Sequence, residues 1–237
     1  MRFNSKVFVV TGGTGGLGGA VSRRLLDEGA RVHVTWIVAT EADAFKVSLG
    51  AAADSCVLHQ LDILDEEDVI AFVAELFAAE GRIDGLCNLV GGYVGSMSVI
   101  DTDLARWDFL LNLNVRTALT MCKHIVPHML AGGAGKIVNV SARRAHQGAA
   151  GLSAYSASKA AVLRFTEALA AEVLHNNVQV NAILPSTIDT AQNRAASPNA
   201  DYSDWVSPDD IAAVVAYLCS PEADIITGAG IPVYGRA

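Results

Sequence analysis

The sequence predicts an α/β fold: one domain over residues 1–237, with a doubly wound parallel sheet of about seven strands flanked by helices. Three observations predict it. Short β-branched apolar segments alternate with helical patterns along the whole chain. Nearly continuous apolar runs such as Ile137-Val138-Asn139-Val140 suit strands covered on both faces rather than one. A Gly-rich turn, Thr11-Gly12-Gly13-Thr14-Gly15-Gly16-Leu17-Gly18, joins the first apolar run to an Ala/Leu-rich helix.

Taken in order, strands are expected at Val7–Val10, Arg31–Trp36, Cys56–Gln60, Gly85–Leu89, Lys136–Val140, Gln179–Ile183 and near Ile231–Val233. Helices are expected at Gly18–Glu28, Glu66–Ala79, Arg106–Leu130, Tyr155–His175 and Pro208–Cys219. Asp65 before Glu66 can cap its helix, and Ser207-Pro208 is a favourable helix start. The polar stretch from Thr190 to Trp205 is too long for an ordinary connection and reads as a lid, within a substrate-loop region at 186–206. There is no internal repeat, low-complexity tract or linker.

Composition narrows the possible partners. The chain is 51% hydrophobic and 18% charged, as a globular protein with a heavily buried sheet would be. A net charge of −8, with Arg23-Arg24 and Arg143-Arg144 the largest basic clusters, argues against nucleic acid as a partner; the nucleotide and tyrosine motifs, not composition, suggest a small-molecule substrate. No apolar run approaches the ~18 residues of a membrane span, and the first strand follows Met1 too closely for a signal peptide. Cys56, Cys87, Cys122 and Cys219 lack CxxC spacing and read as reduced structural thiols of a cytoplasmic protein. His124 and His128 have metal-ligand spacing, but Pro127 lies between them and no Glu completes the motif, so no metal site is expected.

Two segments carry chemistry. A Gly-rich turn between strand and helix lets the backbone approach a dinucleotide pyrophosphate at a helix N-terminus, making Gly12, Thr14, Gly16, Leu17 and Gly18 candidate cofactor contacts. Tyr155-Ser156-Ala157-Ser158-Lys159 places a phenol and an ammonium four apart on one helix face. A nearby cation favours the phenolate, which would bring the tyrosine's proton exchange closer to neutral pH. The second strand ends Val34-Thr35-Trp36-Ile37, with neither an acid for the ribose hydroxyls nor a base for a 2′-phosphate, so NAD and NADP both remain open.

At these residues the chain resembles the short-chain dehydrogenase/reductase family over nearly its whole length. The resemblance implies a Rossmann fold, hydride transfer with NAD or NADP, and a homodimer or homotetramer. Within the family the pattern is closest to a branch that includes dihydropteridine reductase, through Leu184-Pro185, Asp189-Thr190, Asn193-Arg194, Pro198, Ala200-Asp201 and Trp205.

The resemblance also implies roles. Tyr155 is the acid/base, Lys159 lowers its pKa and holds the nicotinamide ribose, and Asn114 holds a water linking Lys159 to solvent. Asn112 competes for that place but fits its offset from Trp107 less well. Asp62 and Ile63 would border the adenine. Asn88 and Gly91 match an Asn-Asn-Ala-Gly signature that Leu89 and Val90 depart from. Pro185, Ile188 and Thr190 would grip the carboxamide, with Ser186 in place of the usual glycine. Gly15 stands where many NADP-preferring relatives carry Arg or Lys.

The family's catalytic serine falls 13 positions before the tyrosine, at Ala142. Ser141, one residue earlier on a strand, points to the opposite face and reads as structural; it takes the catalytic place only if the loop shifts by one residue. The expected function is therefore an NAD(P)-dependent oxidoreductase acting on a carbonyl, an alcohol or a conjugated, pterin-like ring. The alternative, kept open by Ala142, is a catalytically weak dinucleotide-binding sensor or subunit.

Overall fold

The computed structural model describes residues 1–236. Seven parallel strands form one sheet in the order β3-β2-β1-β4-β5-β6-β7. They are β1 (Val7–Thr11), β2 (Arg31–Trp36), β3 (Cys56–Gln60), β4 (Gly85–Asn88), β5 (Gly135–Val140), β6 (Val178–Pro185) and β7 (Gly230–Val233). All seven fall where the apolar runs place them.

The described residues form eight α-helices: α1 (Gly16–Asp27), α2 (Ala39–Ser48), α3 (Glu66–Glu80), α4 (Leu104–Leu111), α5 (Thr117–Gly132), α6 (Ser153–Glu172), α7 (Ala191–Ala196) and α8 (Pro208–Leu218). Alternate strand residues feed two cores. Phe8, Val10, Cys87, Val138 and Ile183 pack with α1, α2 and α8. Val9, Leu86, Ile137 and Val180 pack with α3, α5 and α6 on the other face. The strands are apolar on both faces because each face has a helix layer to meet.

Three departures from the sequence reading have local causes. The helix α2 has no side-chain N-cap and buries only Ala42 and Phe45, so its periodicity is faint. Inside the polar stretch, α7 buries no residue and is started by the Thr190 hydroxyl, which accepts from Asn193 N. The single helix expected over Arg106–Leu130 is instead α4, a π turn at Asn112–Arg116, and α5. Such turns recur at functional sites, and this one contains Asn114.

Asp65 caps α3 by accepting from Glu67 N at 3.0 Å, and Ser207 caps α8 by accepting from Asp209 N at 3.2 Å. The four cysteines are free and buried. His124 pairs with Glu66 at 2.9 Å, and His128 packs on the Phe77 ring. Among the described residues no helix is long and apolar enough to cross a membrane.

Candidate active site

In a sheet of this order the chain winds outward in opposite directions from β1 and β4. The crevice beyond the carboxyl ends of these strands is where open α/β sheets bind ligands. There the Gly-rich turn is fixed by sterics. Gly12 adopts φ +60°, a conformation that favours glycine. A side chain on Gly18 would collide with the Gly12 carbonyl. Gly13, not singled out from the sequence, is equally confined: a Cβ there would lie 2.8 Å from Ser22 Oγ and 2.9 Å from Val34 Cγ1. Thr35 completes the turn, its hydroxyl accepting from Gly12 N at 3.3 Å and its carbonyl from Gly13 N at 3.2 Å. Thr14 is half-buried, and Leu17 packs against the first core.

Thr11 ties the two central strands together beneath the crevice. It is buried, and its hydroxyl accepts from Leu89 N at 3.0 Å and Val90 N at 3.3 Å. Asn88 is also buried, donating to Asn139 Oδ1 at 2.9 Å, and Asn139 donates to Thr166 Oγ1 at 2.9 Å. This network links β4, β5 and α6 through the Asn88 amide nitrogen, while the Asn88 Oδ1 is buried with no hydrogen-bond partner. Ile63 is likewise buried in the second core, which leaves its backbone as the surface that can face a ligand. Asp62 is exposed, one carboxylate oxygen accepting from Leu64 N at 3.0 Å.

The reactive segments meet at Gly91 and Gly92. A Cβ on Gly91 would lie 2.8 Å from both Asn114 Oδ1 and Lys159 Nζ. Asn114 Oδ1 accepts from Gly92 N at 2.8 Å; its amide donates to Gly92 O at 3.1 Å and to Ser158 Oγ at 3.0 Å. Ser158 in turn donates to the Tyr155 carbonyl at 2.8 Å. The Asn114 side chain is thus a clamp between the loop after β4 and α6.

Burial decides the protonation of the Tyr155–Lys159 pair. It pushes Tyr155 up to about 12, with Tyr93 adding to the rise and Arg144 opposing it. It drives the Lys159 ammonium down to about 8. Lys159 Nζ donates to the Val140 carbonyl at 3.2 Å. The expected depression of the phenol by its neighbouring cation is not found: desolvation leads both shifts, and Lys159 is not among the causes acting on Tyr155. Tyr93 stands edge-on to Tyr155 with ring centres 5.3 Å apart. A shallow depression opens beside Tyr155, lined among others by Val94, Met97, Arg106, Trp107 and Leu110.

Ser141 is buried and donates to the Lys159 carbonyl at 2.7 Å, pinning β5 to α6. Ala142 follows it, also buried. Pro185 ends β6 in the core. Ile188 pairs with Val206 across the neck of the loop, and its carbonyl accepts from Asn193 Nδ2 at 2.8 Å. The Thr190 methyl sits over the Gly-rich turn, 2.6 Å from where a Gly16 Cβ would be. Beyond it, Arg194 forms a two-pronged pair with Asp189, one arm at 2.7 Å, and covers the Tyr202 ring at 4.7 Å.

Comparison with known proteins agrees with this geometry. The family model for short chain dehydrogenase matches residues 6–201. Acetoacetyl-CoA reductase of Allochromatium vinosum is 30% identical over 241 residues, covering 98% of each chain. Human dehydrogenase/reductase SDR family member 4 is 32% identical, covering 98% of this chain and 87% of the relative. The crystal structure of NAD+-bound xylitol dehydrogenase superposes with a TM-score of 0.91 at 25% identity, over 99% of this chain and 100% of that one. A glycine turn with no room for a side chain at Gly13 or Gly18 and a Tyr155–Lys159–Asn114 cluster at the same crevice thus accompany a match over most of the chain: it belongs to the short-chain dehydrogenase/reductase family of oxidoreductases.

Proposed function

We propose that the protein is an NAD(P)-dependent reductase of carbonyl groups, with Tyr155 as proton donor to the substrate oxygen. The observation that carries this reading is the convergence of Asn114, Lys159 and the Gly91-Gly92 backbone beside a glycine turn shaped for a pyrophosphate. When bound, the nicotinamide supplies the hydride. The chain does the rest. The backbone from Gly12 to Gly18, with Thr14 and Leu17, receives the pyrophosphate side. Asp62 and the backbone of Ile63, Asn88 and Gly91 border the adenosine, and Pro185, Ile188 and the Thr190 hydroxyl hold the carboxamide. Lys159 anchors the nicotinamide ribose. A Tyr155 pushed up to about 12 keeps its proton at neutral pH, which fits a donor to a developing alkoxide. Relatives named as an acetoacetyl-CoA reductase and a xylitol dehydrogenase support the carbonyl/alcohol class.

A second substrate reading, a conjugated pterin-like ring, is favoured by position 142. Ala142 offers no hydroxyl, and the Ser141 hydroxyl is spent on the Lys159 carbonyl. A ring that accepts hydride into C=N needs one donor fewer, and the 186–206 segment brings polar and aromatic side chains for recognition. We also propose a closed homo-oligomer, since Leu104, Phe109 and Leu119 are 76%, 47% and 48% exposed.

The test is Tyr155→Phe, assayed with simple ketones and with quinonoid dihydropterin. Turnover should fall about 10²–10⁴-fold while dinucleotide affinity stays within about threefold, a mild change by the arithmetic of binding. A variant keeping more than roughly a tenth of wild-type kcat moves the proton donor elsewhere. A wild-type chain that binds dinucleotide yet reduces neither substrate class supports the sensor reading instead.

A further inference from the structure

An acidic side chain at the end of the second strand ordinarily takes the 2′-hydroxyl of the adenosine ribose in sheets of this kind. Here Trp36, Ile37 and Val38 fill that place without a charge. The structure brings a charge to the same corner from the next element. Glu41 lies in the first turn of α2, and its Oε2 is 3.8 Å from the position that a Cβ on Gly15 would take. The one other non-neighbouring atom within 4 Å of that position is the Gly12 carbonyl oxygen, at 3.5 Å. The space beside Gly15 is therefore open and bordered by two oxygens, one of them a carboxylate.

Resting on the dinucleotide reading above, we infer that Glu41 sets the cofactor preference, favouring NAD(H) over NADP(H). A carboxylate there accepts a hydrogen bond from a free 2′-hydroxyl and repels a 2′-phosphate, which carries about two negative charges. Two opposing features are present, and neither outweighs it. The α2 N-terminus offers a positive end of roughly half a charge, and the full charge of Glu41 sits within that same turn. Arg23, a nearby cation, has its guanidinium turned onto the Phe45 ring at 6.0 Å, beside Gly19 and a turn farther along α1.

The experiment titrates wild type and Glu41→Gln with NADH and with NADPH, reading dissociation constants from energy transfer between tryptophan and the nicotinamide. Wild type should hold NADH about tenfold or more tighter than NADPH, and Glu41→Gln should tighten NADPH by roughly tenfold while moving NADH by less than about threefold. Equal affinities in wild type, or a ratio unchanged in Glu41→Gln, overturn the assignment; in the first case Arg23→Ala would show whether that cation takes the phosphate. A wild-type chain that binds neither dinucleotide overturns the cofactor reading itself, and this inference with it.

Discussion

The two sides of the crevice are built by different rules. On the side proposed for the nucleotide, packing leaves no room for a side chain: a Cβ on Gly18 would strike the Gly12 carbonyl, and one on Gly13 would meet the Ser22 and Val34 side chains. On the substrate side, residues 189–206 leave the neck formed by Ile188 and Val206 and are held by side chains, chiefly Arg194 on Asp189 and Tyr202 on the Ser197 carbonyl. The first region has almost no freedom to vary its residues, and the second has a great deal. In the function proposed above, the first is the dinucleotide platform and the second the substrate loop, a division that lets one fold serve many substrates.

The strongest way to break this comparison is Gly18→Ala. Its Cβ would strike a carbonyl rather than a yielding side-chain tip, so the loss should reach the upper end of the about 1–3 kcal/mol typical of overpacking. Gly148→Ala, with no described atom within 4 Å of its Cβ position, should leave the melting temperature unchanged. Indistinguishable thermal transitions for the two variants would mean that the turn is far softer than its packing implies.

The sequence was most legible where the backbone and apolar periodicity decide the outcome. Most strands are apolar runs between two helix layers, and Gly-rich spacing located the turn. It was least legible where three-dimensional burial decides. Nothing in Tyr155-Ser156-Ala157-Ser158-Lys159 reports that both reactive groups are desolvated, so the sign of the tyrosine shift came out reversed. Nor does the sequence around Asn88 show that its amide nitrogen is tied to Asn139, which Thr166, distant in sequence, holds in turn. The π turn at Asn112–Arg116 leaves no trace in the apolar pattern of its flanking helices.

The next effect tests that buried pair. Lys159 is 4% exposed, and its folded pKa of about 8 lies below the ordinary 10.5. Between those values the unfolded chain binds more protons, so this group's contribution to stability rises with pH from about 8 to 10.5. Below pH 8 the charged, buried ammonium costs about 3 kcal/mol relative to solvent. Tyr155 acts oppositely: its raised pKa makes stability fall as pH climbs from its ordinary 10 toward about 12. Lys159→Met should therefore gain on wild type at pH 7, with the gain shrinking by pH 10 in denaturant titrations, while dinucleotide binding weakens. A gain independent of pH would mean that Lys159 is not desolvated.

A smaller effect is expected at the end of β5. Ser141→Ala removes the hydroxyl that pins the strand to the Lys159 carbonyl, costing about 0.5–1.5 kcal/mol. Turnover should change little, because the hydroxyl faces the helix backbone. Abolished activity with an intact fold would make Ser141 the catalytic serine and move the substrate toward an ordinary ketone.

The smallest stability effect belongs to the loop. Arg194 joins an exposed ion pair with Asp189 and lies on Tyr202, and exposed pairs contribute little to folding. Arg194→Ala should leave the melting temperature unchanged. Its consequence should appear in recognition: freed from its double hold, the 189–206 segment closes less well over the substrate, and KM rises while kcat is largely kept. That split is what a region held by side chains predicts, since a loosened lid weakens binding without touching Tyr155. A melting temperature that drops with KM intact would instead make this loop a structural brace, and the contrast between the two sides of the crevice would disappear.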